Sequence, residues 1–437
     1  MSRYHNVIGF EIHVQLKTES KMFCPCSARY FGANPNTHVC PTCLGLPGAL
    51  PTPNAKAIES TIRAGLALGC EVNKKTKFDR KSYFYPDLPK GYQISQYELP
   101  LCREGKLSFG ETDVPIRRVH IEEDTGKMFH DHNPGKEVTL IDFNRSGVPL
   151  MEIVTDIAYL SSTEARLFLK KLTRVLKYLD ISDCSMETGS MRLEVNISLT
   201  PEIGLVPDYK VEIKNLNSFR FVESAIDFEI NRQSEILNSG CKPVQETRGW
   251  DEKKKATFSQ RSKEHEYDYR YFPEPDIPHI EWTDKDIQMF RSKLPALPDI
   301  YEDIFTKYGL DKATIEMLLA SRPRAELFER CVMLGKSHDI PPTDIASFLR
   351  ENSFWDKRTP EEVLSCVKNT PEASCLSAEE TGRMVETILS ENPELVSLYK
   401  SGRHKVIEVL IGRCNKMTGR AGDLGRLRTA LTVALER

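Results

Sequence analysis

Val7-Ile8-Gly9-Phe10-Glu11-Ile12-His13-Val14-Gln15-Leu16 alternates apolar and polar residues from Phe10 onward. A period of two belongs to a strand with one face in a core. Glu11, His13 and Gln15 therefore share the other face. A second run, Leu193-Glu194-Val195-Asn196-Ile197-Ser198-Leu199, repeats the pattern and aligns Glu194, Asn196 and Ser198. A sheet face presenting carboxylates and a histidine is either a solvated outer surface or the floor of a site, and alternation alone admits both.

Working outward, the chain to about residue 290 mixes short β-like runs with a few helices. One helix is clearly marked. Ser161 and Glu164 form a capping box, and Ala165, Phe168, Leu169, Leu172, Val175, Leu176 and Leu179 follow at helical spacing, as a packing face. Tyr271-Phe272-Pro273-Glu274-Pro275-Asp276-Ile277-Pro278 can continue neither a helix nor a central strand. A second proline cluster, Leu294 to Asp299, begins the change to a helical region. Farther on, Thr359 and Pro360 read as the N-cap and first position of a helix. Two short amphipathic helices joined at 418–422 close the chain. The class is α+β, with a mixed or antiparallel sheet followed by helices.

At 437 residues the chain is too long for one ordinary core, so two to three domains are expected. Its 40% hydrophobic and 28% charged residues suit a folded soluble protein, and no apolar run is long enough to span a bilayer. The start, Met1 to Asn6, lacks the apolar stretch of a secretory signal, which makes a cytoplasmic location the expectation. The net charge of −3 hides a gradient. From Lys400 to Arg437, nine Lys/Arg face three acids, which leaves the body at −9. A basic end of this kind is either a surface for a polyanion or a solvated helical face.

Four of the twelve cysteines fall in two pairs, Cys24-Pro25-Cys26 and Cys40-Pro41-Thr42-Cys43. Two close thiolate pairs across a short loop suit tetrahedral zinc; the alternative is four structural cysteines that happen to cluster. Four protein ligands leave no open position, so such a zinc is structural. The run His120-Ile121-Glu122-Glu123-Asp124-Thr125-Gly126-Lys127 gathers three acids beside a histidine. Oxygen-rich sets of this kind suit Mg²⁺, which commonly arrives with nucleotide phosphates, although acidic runs are usually solvated. Gly135-Lys136 is followed by Glu137 and lacks a glycine five residues earlier, so no P-loop is present. Neither a dinucleotide fingerprint after a strand nor a nucleophile elbow appears.

Longer strings resemble the B subunits of the heterotrimeric aspartyl/glutamyl-tRNA(Asn/Gln) amidotransferases. They are the 7–13 run, Lys77 to Asp87, Tyr92 to Gln96, the 120–127 run, Asp142 to Leu150, Met186 to Arg192, Glu212 to Ser218 and Asp268 to Asp276. The paired-cysteine insert resembles the zinc site of some members. The resemblance implies a cradle domain over 1–293 that binds ATP and Mg²⁺, with a zinc insert at 22–45. A helical domain over 294–372 and a basic, tRNA-binding helical tail over 373–437 are expected to follow. It also implies phosphorylation of the glutamyl or aspartyl carboxylate of a mischarged tRNA, then displacement of the phosphate by ammonia. An amidase, the A component of the same complex, supplies that ammonia from glutamine, and a small C component bridges the two. A scaffold that binds zinc and tRNA without catalysis is the alternative.

By position, the resemblance implies Glu11, His13, Glu123 and Glu152 as Mg²⁺ ligands, with Glu122 and Asp124 as neighbours of unresolved role. Lys81, Arg145, Arg192 and Lys214 are candidates for phosphate or carboxylate contacts, each equally a surface ion pair. Cys24, Cys26, Cys40 and Cys43 are the zinc ligands; Arg403, Lys405, Arg413, Lys416 and Arg420 are the tRNA contacts. Tyr83, Phe84 and Tyr85 are candidates to stack a base, with Phe84 expected in the core instead. Three departures stand out: Ser82 replaces a usual Asn, Glu194 a usual Asp, and the region 360–380 is shorter than in typical members, which bears on the boundary between the helical domain and the tail.

Overall fold

The alternating amino-terminal run is a strand, His5–Gln15, inside a 10-stranded sheet. The computed structural model describes residues 3–133, 136–262, 269–352, 357–369, 378–401, 406–417 and 424–435. Across the sheet the order is Ala256–Ser262, Glu246–Asp251, Val211–Lys214, Met191–Thr200, His5–Gln15, Pro149–Thr155, Thr112–Glu123, Cys102–Phe109 and Glu71–Val72. Ala158–Tyr159 pairs with the first strand. The sheet is mixed: Val211–Lys214 runs parallel to Glu246–Asp251, and its other neighbours pair antiparallel.

Register decides what shares a face. Glu11 lies opposite Glu194, and His13 lies opposite both Arg192 and Glu152. Glu152 faces His120, Leu150 faces Glu122, and Asn196 faces Glu212. Side chains alternate along each strand, so these residues line one surface of the sheet. The opposite surface is apolar. Ile8, Phe10, Ile12 and Val14 join Ile121, Ile153, Val195 and Ile197 in one core. Helices Ala55–Ala67, Ser162–Tyr178 and Phe219–Asn238 contribute to it. Phe168 stacks on Phe10 with centroids 5.2 Å apart, and the Ser161–Glu164 capping box is formed. Truncating such a buried aromatic costs about 3–5 kcal/mol, so the core side holds the polar face in place.

A separate three-stranded sheet, ordered Phe272–Pro273, Asp79–Ser82, Tyr92–Ser95, belongs to the same region. Pro273 occupies an edge strand, where its missing N–H leaves no ladder bond unmade.

The chain divides into two compact units, Met1–Phe305 with Leu319–Arg322, and Thr306–Leu318 with Pro323–Arg437. The second is helical. Thr359 caps the helix Pro360–Asn369, accepting from Glu362 N at 3.3 Å. Toward its end, Val385, Ile388, Leu410, Cys414, Leu427 and Leu431 form a small core of their own. Among the described residues, no helix is long and apolar enough to cross a membrane.

Candidate active site and cysteine centre

On the polar face of the sheet, His13 Nε2 lies 3.7 Å from Glu122 and 3.5 Å from Glu152. His120 Nε2 approaches Glu152 to 3.1 Å. One donor atom each from His13, Glu122 and Glu152 falls within 4.8 Å of the others, and the same holds for Glu11, Glu194 and Glu212. Each trio brings three donor atoms close enough to share one cation, all carboxylate in the second and two carboxylates with a borderline imidazole in the first. Burial opposes the charge on His13, but Glu152 and Glu122 outweigh it and raise the imidazole to about 9. Burial likewise opposes ionisation of Glu152, yet His120 and His13 hold it well below the usual carboxylate range. Glu194 is pushed up by burial, against the pull of Lys214. Among the described residues, Asn196 Oδ1 is buried without a donor beside this second trio, while its Nδ2 donates to Glu11 at 3.0 Å. An acceptor left open beside three carboxylates fits a cation there.

The expected quartet of Glu11, His13, Glu123 and Glu152 is parted. Glu11 belongs to the second trio, and Glu123 points away from the polar face. Neighbouring residues on a strand project oppositely, so Glu122 rather than Glu123 reaches His13. Glu123 accepts instead from Ile94 N at 3.0 Å and pairs with the buried Lys90.

Asp124 is a buried junction. Gln15 and Arg192 each donate to it at 2.7 Å, and Arg145 lies 3.7 Å away. Arg145 also donates to Thr125 O and Gly126 O, at 2.9 and 2.6 Å. Lys214 pairs with Glu194 at 2.9 Å. These three cations thus hold the site's own acids. Lys81 differs: among the described residues it makes no hydrogen bond or ion pair, and its Nζ lies 4.7 Å from the Tyr269 centroid. Burial works against its charge, but Glu122 leads the groups that raise its pKa. Phe84 departs from the expected core position. It is 77% exposed, because it lies in the connection after Asp79–Ser82, beyond the sheet.

Cys24, Cys26, Cys40 and Cys43 converge, with all four sulfurs within 4.8 Å of one another. Four thiolates about a zinc ion with bonds near ~2.3 Å suit that spacing. Lys21, 1% exposed, donates to His38 O at 2.7 Å, Phe143 O at 3.3 Å and Cys43 Sγ at 3.6 Å. A buried ammonium beside four thiolates offsets the charge a metal centre of this type carries. Hydrogen bonding from Cys24 leads the effects that bring Cys43 down to about 4. Gly147, at φ +86°, fits between the two regions: a Cβ there would lie 3.4 Å from Cys43 and Lys21 and 3.8 Å from Glu123.

Sequence reasoning missed Glu212, Lys90 and Lys21 as site residues. Glu212 entered the sequence reading only within the Glu212 to Ser218 string, and strand register sets it beside Glu11. Lys90 and Lys21 carried no local signal. Of the tail residues, Arg413 is exposed on the helix Ile407–Met417, and Lys416 is on the same helix. Arg403, Lys405 and Arg420 lie outside the described residues.

The chain matches the family model described as the GatB/GatE catalytic domain over residues 6–288. It is 43% identical to the B subunit of the aspartyl/glutamyl-tRNA(Asn/Gln) amidotransferase of Thermomicrobium roseum, with 96% of each chain covered. The protein of the same name from Caldicellulosiruptor saccharolyticus is 41% identical, with 95% of each covered. That from Dehalococcoides mccartyi is 40% identical, covering 96% of this chain and 97% of its own.

Proposed function

Because this chain belongs to the GatB/GatE catalytic-domain family, we propose that it amidates the side-chain carboxylate of Asp or Glu borne on a mischarged tRNA, at the expense of ATP. The observation that carries the reading is the polar sheet face, where two acid trios lie on neighbouring strands and Lys81, which among the described residues makes no hydrogen bond or ion pair, comes under the influence of Glu122 and Glu152 of the first. Ammonia does not attack a carboxylate, whose negative charge repels it and whose leaving group would be oxide. Activation resolves both. A carboxylate oxygen attacks the terminal phosphorus of ATP, and the bond to ADP breaks. Ammonia nitrogen then attacks the acyl carbon, phosphate leaves with the electrons of the C–O bond, and the nitrogen loses a proton.

His13, Glu122 and Glu152 would hold one Mg²⁺, and Glu11, Glu194 and Glu212 a second cation. Bound there, Mg²⁺ supplies positive charge against the charge developing on the phosphates. Lys81 directs an ammonium at the same region and contacts the substrate carboxylate or the transferred phosphate. Arg145 and Arg192 act through Asp124, anchoring the 122–126 segment so that Glu122 keeps its place. Gly147 and the ordered cysteine loop back this segment from behind, with structural zinc the metal that the four thiolates suit. Ammonia comes from an amidase partner in the same complex, and the basic tail meets tRNA phosphates.

In the complex assembled with its partner chains, ATP hydrolysis should depend on the mischarged tRNA. Glu152→Gln should lower it about 100-fold or more, since charge on the phosphates would lose its counter-ion. Wild-type complex that binds mischarged tRNA but hydrolyses no ATP in response would leave only a non-catalytic scaffold.

A further inference from the structure

Five tyrosines far apart in sequence form one row. Tyr85 and Tyr83 have centroids 6.2 Å apart, Tyr83 and Tyr269 6.2 Å, Tyr269 and Tyr271 6.1 Å, and Tyr271 and Tyr97 4.3 Å. The row is built by strand pairing: the 269–273 segment runs beside Asp79–Ser82, with Ser82 N donating to Tyr269 O and Phe272 opposite Arg80. Both ends reach solvent, Tyr85 at 52% and Tyr97 at 51% exposure. Core packing explains the partly buried middle, but not open rings at either end. Cations accompany the rings: Lys81 over Tyr269 at 4.7 Å, Arg118 near Tyr97 at 5.9 Å, and Arg270 near the exposed Phe84 at 5.9 Å. The row lies beside the acid floor, for Asp79–Ser82 pairs with Tyr92–Ser95, and Ser95 Oγ donates to Glu122 at 3.1 Å.

Rings interleaved with cations, leading from solvent to the reacting groups, match the chemistry of an unpaired nucleic-acid strand. Base faces stack on rings while phosphates meet the cations. We propose that this tyrosine row is the track on which the unpaired 3′-terminal nucleotides of the substrate tRNA lie, delivering the aminoacyl group to Lys81 and the acid trios. The inference rests on the tRNA-amidation reading and extends it by naming where the acceptor end binds. The adenine of ATP and a partner-protein surface are the competing occupants. The row's length, with rings beyond those that a single base can touch, favours a strand.

The test uses the assembled complex, with Tyr97→Leu and Tyr85→Leu against Tyr97→Phe. Both positions are at the exposed ends, outside the acid trios. The leucine variant at the end where the strand enters should raise the KM for mischarged tRNA about tenfold or more, while Tyr97→Phe stays near wild type. The KM for ATP should not move. In direct binding, the advantage of intact tRNA over tRNA trimmed of its unpaired 3′ nucleotides should shrink in that same leucine variant. Unchanged tRNA KM and binding in both would overturn the track. A rise in the KM for ATP alone would give the row to the adenine, and failure to assemble would give it to a partner protein; either refutes the proposal. If wild-type complex makes no amidated tRNA at all, the functional reading has failed; if it does and the leucine variants behave as wild type, only the track has.

Discussion

Asp124 shows how one buried carboxylate can organise a site without facing it. Its ionisation is opposed by burial, but Arg192 and Arg145 outweigh that and lower its pKa below the usual 3.8. A folded-state value below the unfolded one contributes stability above the unfolded pKa, lost as pH falls through the folded value. Asp124→Asn should therefore destabilise the protein by about 2 kcal/mol at neutral pH, less than a fully buried pair would cost because Arg192 keeps some solvent. In urea melts at decreasing pH, the gap between variant and wild type should close across the acidic range below about pH 4; a gap independent of pH would refute the assignment. At this scale the sequence was partly legible. The run Glu122-Glu123-Asp124 announced acids, but their three distinct environments follow from strand alternation and from partners more than sixty residues away. No spacing rule supplies those.

Among elements, strands with a clean period of two and helices with a full capping box are readable in the sequence, because both signals are local. Pro273 at a sheet edge and Thr359 at a helix start belong to the same class. What escaped was pairing order: nothing local says that Val211–Lys214 lies beside Met191–Thr200, and with it the second acid trio stayed hidden. The cysteine loop was legible as a metal candidate, but not its buried counter-charge. Lys21 ties the loop to Phe143 O and to Cys43, so Lys21→Met should weaken metal retention about tenfold, measured as zinc lost to a chelator. Replacing Cys40 and Cys43 by Ser sets the scale of complete loss. Full zinc content in that double variant would rule out the four-cysteine centre.

For the molecule as a whole, the two compact units divide the work that composition had hinted at. The sheet unit holds the acid face, and the helical unit carries the basic end. If that end meets tRNA phosphates, binding should weaken steeply with salt, and Arg413→Ala should lower the slope of log affinity against log salt by about one. A slope unchanged by that substitution would remove Arg413 from the interface. The central strand, His5–Gln15, has a further consequence, for how this protein can change over time. Even-numbered positions from Ile8 to Val14 feed the core, while Glu11 and His13 belong to the two acid trios on the other face. Deleting a single residue within that span would invert both sides at once, sending charges into the interior and isoleucine among the acid trios. The strand can therefore drift by substitution but not by length. Gain or loss of residues is left to the connections around it, where no such coupling of two faces exists.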